Sequence, residues 1–345
     1  MIIKNVKVFT EDKRFVPGEV VIEDGLFQVE ASNQDEVIDG NRCYAIPGLV
    51  DVHFHGAVGY DFCDGTEEAI QEIAKYEASQ GVTTIVPATM TLPEEELMQI
   101  AKTAGAHKNE EGAVLAGINM EGPFISPGKK GAQAGTHIVK PNVEMFRRLQ
   151  EAAKDEVNIS FAHTLADYDT AKKGYALGAD HATHLYNAMP LFTHRAPGVI
   201  GAAHDSSHVM VELITDGVHI HPSVVRTTFD MFKDRVVLIS DSMRATGMPD
   251  GQYTLGGQAV TVKGNMATLI EGGALAGSVT NLMDCMRNAV KNMGISLEDA
   301  VAAATINPAK SVGLDNKYGS IKQGKVGNLV LLDQNLEIQK VILNG

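Results

Sequence analysis

At 345 residues with a 44% hydrophobic share, the chain can bury one large core, and barrel enzymes with added elements commonly reach this length. Its formal net charge of −14, without any compensating basic stripe, argues against DNA or another polyanion as partner, although a small anion could be received by a local arginine or histidine cluster. Three widely spaced cysteines, Cys43, Cys63 and Cys285, match neither a disulfide scaffold nor a thiolate zinc site, which favours a reducing cytoplasm.

The first residues lack the long apolar core of a signal peptide, and no apolar run reaches the length of a membrane span. Residues 2–8, 18–22 and 26–29 instead predict short strands, the last entered by the turn Asp24-Gly25. A similar pattern returns at 327–333 and 338–343. Neither set can bury a core alone, so the two ends are expected to combine into one small β domain, residues 1–47 with 321–345.

Between them, over 48–320, the rhythm becomes strand, polar loop, helix, repeated. Strands are predicted at 48–55, 81–88, 113–120, 157–163, 182–184, 209–214, 235–241 and 275–278, with a hairpin-like stretch at 258–269 before the last. Helices are predicted from 67 to 78, from about 93, through Met145 and Leu149, and through Leu282 and Met286. Near-continuous apolar strands crossed by helices imply a parallel sheet, and eight such units close into a (β/α)8 barrel; an open doubly wound sheet would seldom place chemistry at so many strand ends.

Polar residues cluster where these strands end. His53 and His55, in Asp51-Val52-His53-Phe54-His55, are separated by one residue, so on a strand they point to the same side and can grip one ion. Glu121 ends the third run, His163 the fourth, His184 the fifth, and Asp241 the seventh; His219 follows the sixth. In a barrel these ends share one mouth. Imidazoles with a carboxylate suit zinc or ferrous iron better than magnesium, and Glu121 can bridge two ions. Asp241 is costly to bury unpaired and is placed to take a proton from an activated water and return it to a leaving group; a helix-capping aspartate is the competing reading. His107, His181, His204, His208 and His221 are expected in exposed or hydrogen-bonded structural roles, and His137 and His194 carry no assignment.

Several runs together carry a family likeness: Pro47-Gly48-Leu49-Val50-Asp51-Val52-His53-Phe54-His55-Gly56, Met120-Glu121-Gly122-Pro123-Phe124-Ile125, Gly131-Ala132-Gln133, Thr183-His184-Leu185-Tyr186-Asn187-Ala188-Met189, Arg195-Ala196-Pro197-Gly198 and Thr215-Asp216-Gly217-Val218-His219. Over nearly all its length the chain resembles the N-acetylglucosamine-6-phosphate deacetylases of the amidohydrolase superfamily. The resemblance implies a distorted (β/α)8 TIM barrel with a small β-sandwich built from both chain ends, assembled as a homodimer. It implies Glu121, His163 and His184 as ligands of one metal and His53 and His55 as ligands of a second bridged by Glu121, giving one or two Zn2+ or Fe2+ ions per subunit. It further implies Asp241 as general base and acid, and His219 as a substrate contact polarising the acetyl carbonyl. The substrate-binding residues carried over are Ala132, Gln133, Asn187, Ala188, Arg195, His219, Leu275, Ala276, Gly277 and Ser278, with Asn187 and the Ala188 backbone at the phosphate and Arg195 reaching across the dimer. Gln133 stands where some members carry histidine, and His163 where many superfamily relatives carry a carboxylated lysine.

Hydrolysis of an N-acetylated amino-sugar phosphate in the cytoplasm is the activity these features imply. Two rivals share the motifs: a metal hydrolase acting on another small amide or cyclic imide, and a non-catalytic metal-binding protein on the same fold. Dependence on the substrate phosphate separates the first. Against the second, no ligand is missing and Asp241 is retained.

Overall fold

The structure is a computed structural model that describes residues 1–30, 36–154 and 160–344. Strands β1 (Ile2–Phe9), β2 (Phe15–Glu23), β3 (Leu26–Gln28), β4 (Val37–Asp39) and β5 (Tyr44–Pro47) lie in one sheet with Leu329–Leu332 and Ile338–Ile342 from the other end of the chain. Leu329–Leu332 runs antiparallel to β5, and β1 joins β5 to β2, so the two ends are stitched together by backbone hydrogen bonds. Ile3, Val6, Ile22, Phe27, Ala45 and Leu331 fill a small core that neither end could close alone.

One residue after β5, the chain enters the barrel through β6 (Leu49–Asp51). A two-residue hairpin, β7 (Gly56–Ala57) and β8 (Tyr60–Asp61), precedes α1 (Glu67–Ser79), which is capped by Thr66 accepting from the Ala69 N–H at 3.2 Å. Such a cap is worth about 1 kcal/mol, and Glu67 and Glu68 in the first turn favour the positive end of the helix dipole. Then follow β9 (Val82–Ile85), α2 (Glu94–Ala106), β10 (Val114–Leu115), α3 (Val143–Ala153), β11 (Ser160–Phe161), α4 (Tyr168–Ala176), β12 (His181–Ala182), α5 (Gly198–His204), β13 (Met210–Ile214), α6 (Pro222–Phe232) and β14 (Val236–Ile239). The strands β6, β9 and β10 pair in parallel, and β11 to β14 pair in parallel in chain order.

Period-two alternation sorts the strand residues into two layers. Val237 and Ile239 pack inside the barrel with Val50, Val52 and Ile214, whereas Val236 and Leu238 join Leu49, Val82 and Ile85 under the helices. Both faces are therefore apolar, which is why these strands read as continuous hydrophobic runs. A three-stranded antiparallel insert, β15 (Gly251–Leu255), β16 (Gln258–Lys263) and β17 (Met266–Leu269), packs Leu255, Val260 and Leu269 on Met90 and Met243 at the rim. Helices α7 (Leu282–Lys291), α8 (Leu297–Ala304) and α9 (Ile306–Ser311) close the wall beside β6 and β14.

Distortion appears where the sequence pattern was smooth. The third strand shrinks to two residues plus a bridge between Ala88 and Asn119, because its neighbour passes through Pro87, which has no N–H to continue the ladder. Of the expected fourth strand, residues 157–159 lie outside the described residues and Ser160–Phe161 is paired. The eighth is reduced to one parallel bridge, Ser242 with Ser278. Here Gly277 has φ 63°, and a Cβ on it would lie 2.9 Å from the Asp241 carbonyl oxygen, so only glycine lets this segment approach. Among the described residues no helix is long and apolar enough to cross a membrane.

Candidate active site

The paired histidines sit just beyond β6, not on it. Backbone bonds from Val86 N to Asp51 O (2.8 Å) and Ala88 N to Phe54 O (2.6 Å) hold the segment on one side, and Asp241 N to His53 O (3.0 Å) and His55 N to Ser242 O (2.7 Å) on the other. His163, His184 and Asp241 leave their strands with φ of 42°, 31° and 48°. Left-handed backbone at non-glycine residues carries about 1–3 kcal/mol of strain each and is concentrated at functional sites. By contrast, the Asp51 side chain turns from the mouth: it accepts from the His53 N–H at 3.2 Å, and burial pushes its carboxyl up to about 7.

Two clusters of ligand-type atoms result among the described residues, Glu121 with His163 and His184, and His53 with His55 and Asp241. In the first, Nε2 of His163 and Nε2 of His184 each lie 2.9 Å from Oε1 of Glu121 and 3.2 Å from one another. In the second, Nε2 of His55 lies 3.3 Å from Oε2 of Glu121 and 3.4 Å from Oδ1 of Asp241, while His53 Nε2 is 3.7 Å from both carboxylates. Glu121 thus gives one oxygen to each cluster.

Tautomers follow from the outer partners. A carbonyl only accepts, so Nδ1 of His163 donates to Lys129 O at 2.8 Å and Nδ1 of His55 to Ala88 O at 3.3 Å, leaving each Nε2 as a lone pair facing carboxylate oxygen. Lone pairs so close need a cation between them. Protons supply one solution: although burial opposes it, Glu121 and Asp241 push His55 up to about 10, and Glu121 raises His163. Burial likewise works to raise Glu121 and Asp241, but the charges of His53 and His163, and hydrogen bonds from His163 and His184, pull Glu121 well below its usual value. Asp241 is lowered by its His55 hydrogen bond and the His53 and His55 charges. A divalent ion is the other solution, and the imidazole and carboxylate donors fit one; His53 Nε2, buried and without a hydrogen-bond partner, aims between Glu121 and Asp241 as a ligand would.

A cavity of about 180 Å3 opens above these groups, lined by His55, Glu121, His163, His184, His219 and Asp241 together with Ala132, Gln133, Asn187, Ala188, Leu275 and Gly277. His53 lies buried beneath it. Of the other residues expected at the substrate, Ala276 is buried in the core under the insert, and Ser278 spends its hydroxyl on Ser240 O at 2.6 Å. Arg195 is exposed and outside this lining. Both ends of the Gln133 amide are engaged, Nε2 donating to Glu121 Oε2 at 2.8 Å and Oε1 accepting from Thr91 N at 2.7 Å. Gln258 of the insert also donates to the Ala132 carbonyl, tying insert to rim.

Two supporting roles escaped the sequence reading, those of Asp216 and Glu212. Asp216 binds Nδ1 of His219 at 2.8 Å, and this contact raises His219 against the opposing effect of burial. Glu212, on β13, lies 2.9 Å from His181 Nδ1 and 3.3 Å from His53 Nδ1. The register of β12 and β13, His181 opposite Met210, places His181 and Glu212 on one face. A carboxylate within an apolar buried strand must be paired, and that was the available signal for Glu212. His181 is buried and hydrogen-bonded, in the structural manner expected of it, yet one contact from the site.

The chain is similar to known proteins along its length. The model of the amidohydrolase family matches residues 44–345. N-acetylglucosamine-6-phosphate deacetylase of Bacillus subtilis (strain 168) is 33% identical, the alignment covering 100% of this chain and 96% of the relative. N-acetylgalactosamine-6-phosphate deacetylase of Escherichia coli O157:H7 is 29% identical over 98% of the chain and 97% of the relative. Among solved structures, a mutant N-acetyl-D-glucosamine-6-phosphate deacetylase of Mycobacterium smegmatis in complex with N-acetyl-D-glucosamine-6-phosphate matches with TM-score 0.92 at 26% identity, covering 100% of this chain and 98% of that one.

Proposed function

The chain belongs to the amidohydrolase family, and from that premise we propose that it hydrolyses N-acetyl-D-glucosamine 6-phosphate to D-glucosamine 6-phosphate and acetate. The observation that carries the reading is the meeting of Glu121, His163, His184 and Asp241 at one cavity, in a chain that aligns along its whole length with deacetylases of this substrate.

Glu121, His163 and His184 would hold one divalent ion, Zn2+ or Fe2+, and His53 and His55 a second that shares Glu121. Such an ion would supply Lewis acidity, making water nucleophilic near neutral pH and drawing charge from a carbonyl oxygen. Asp241, its carboxyl held below the usual range, is ionised at neutral pH and takes the proton of the attacking water as the new C–O bond forms at the acetyl carbon. His219, anchored through Nδ1 to Asp216, donates from Nε2 to the oxygen on which charge develops. As the C–N bond breaks, Asp241 returns its proton to the sugar nitrogen, releasing the amine and acetate. Gln133 holds the Glu121 carboxylate in place while Leu275 and Gly277 wall the sugar.

Asn187 and the Ala188 backbone receive the phosphate, joined by Arg195 of the neighbouring subunit in a homodimer. Exposure of Arg195 beside Leu191 and Phe192, 79% and 47% exposed, supports a contact there. The three cysteines are free thiols, in keeping with a cytoplasmic setting. Residues 1–47 and 321–345 form, in the same reading, one small β domain around the barrel of 48–320.

A second reading, the galactosamine isomer as substrate, is favoured by the 29% identity to the Escherichia coli relative named for it. Acetate release from N-acetylglucosamine 6-phosphate, N-acetylgalactosamine 6-phosphate and unphosphorylated N-acetylglucosamine decides between them. The first should give the highest kcat/KM; equal hydrolysis of the sugar without phosphate would overturn the phosphate assignments.

A further inference from the structure

We propose that Glu212 is a positioning residue for the ion held by His53 and His55, fixing His53 with its proton on Nδ1 so that Nε2 presents a lone pair to the metal. The inference rests on the two-ion reading above.

It begins at a group whose role is fixed. His181 Nε2 lies 3.0 Å from the Ser311 carbonyl oxygen, an acceptor only, so Nε2 carries a hydrogen. The other ring nitrogen, Nδ1, lies 2.9 Å from Glu212 Oε1. An ionised carboxylate also only accepts, so His181 donates from both nitrogens and is an imidazolium.

The second oxygen of Glu212 then faces the site. Oε2 is buried and lies 3.3 Å from His53 Nδ1, a close approach short of a well-aligned hydrogen bond. The Asn119 amide nitrogen is also 3.3 Å from Nδ1; one of its hydrogens goes to Val52 O at 2.9 Å, and the second could be accepted by Nδ1 only if that nitrogen were bare. A carboxylate beside Nδ1 favours the hydrogen there, because two lone pairs would otherwise face each other in a water-free interior. With Nδ1 protonated, Nε2 is bare, buried and directed between Glu121 and Asp241. Two other candidate ligands are set by backbone carbonyls, His55 by Ala88 and His163 by Lys129, while Nδ1 of His184 is buried without a hydrogen-bond partner. His53 is the one given a carboxylate, and Glu212 needs His181 to neutralise it at that depth.

Zinc binding to the full-length, metal-stripped chain tests the assignment. Wild type should take two ions. Glu212→Gln should keep the tighter ion unchanged and bind the weaker about 10- to 100-fold less well, the usual loss on removing an outer partner of a histidine ligand. A wild type loading one ion overturns the two-ion reading and this assignment with it; a wild type loading two, with Glu212→Gln loading both at wild-type affinity, overturns the assignment alone. A purely structural role would lower thermal stability while leaving the two affinities together. Because the variant could fail to fold, nitrogen-15 NMR of the zinc-loaded wild type gives an independent reading: His53, identified by its absence in His53→Gln, should carry its hydrogen on Nδ1, and a hydrogen on Nε2 would refute the proposal.

Discussion

The imidazole of His219 is anchored through Nδ1, 2.8 Å from Oδ2 of Asp216, while Oδ1 of the same carboxylate accepts the backbone N–H groups of Val218 and His219 at 2.9 and 3.0 Å. Backbone and ring are thus fixed by one side chain, and Nε2 is left for the cavity.

For His219 to donate from Nε2 while Nδ1 donates to Asp216, the ring must be protonated. Asp216 raises the pKa against burial, so the donor persists above the ordinary 6.5 and is lost as pH rises through the raised value. Asp216→Asn should therefore move the alkaline limb of kcat/KM to lower pH and reduce kcat by roughly 10². An unchanged pH–rate profile would show that the pair does not govern the donor.

Asp241→Asn should retain bound metal and lose turnover by about 10² to 10⁴, as expected on removing a general acid–base group. Metal content and kcat measured on the same preparation separate this role from a ligand role. Wild-type turnover would end the assignment, and loss of the ion would make Asp241 chiefly a ligand.

Metal affinity should climb with pH. In the ion-free chain the Glu121 and Asp241 carboxylates push His55 up to about 10 in spite of burial, so zinc must displace a proton there. Each proton displaced makes affinity rise about tenfold per pH unit. Competition against a chromophoric chelator between about pH 6 and 8 reads the slope, and a flat dependence would show that the imidazoles are already neutral.

Most of the barrel was legible because burial on both faces leaves β14 as an apolar run, and β13 as one broken only by Glu212, the two leading into Asp241 and Asp216. Helices α8 and α9 were not, since Ala300 to Ala304 is buried without polar contrast and Pro308 falls inside α9, so no amphipathic stripe marks them. The near-absence of an eighth strand follows from the insert before it and from the left-handed Gly277. Within the site, ligand-type residues at strand ends could be found one by one. Their supports could not: Glu212 meets His181 and His53 only through strand neighbours distant in sequence, and Gln133 meets Glu121 only because a loop folds back over the mouth.

The most direct measurement is acetate release from N-acetylglucosamine 6-phosphate by the full-length chain after chelation and again after zinc is restored. Activity should vanish on chelation, return with zinc, and be far weaker on the sugar lacking phosphate. Hydrolysis that survives complete removal of metal, or no acetate from the phosphorylated sugar with zinc restored, would contradict a metal-centred deacetylase built on Glu121, His163, His184 and Asp241.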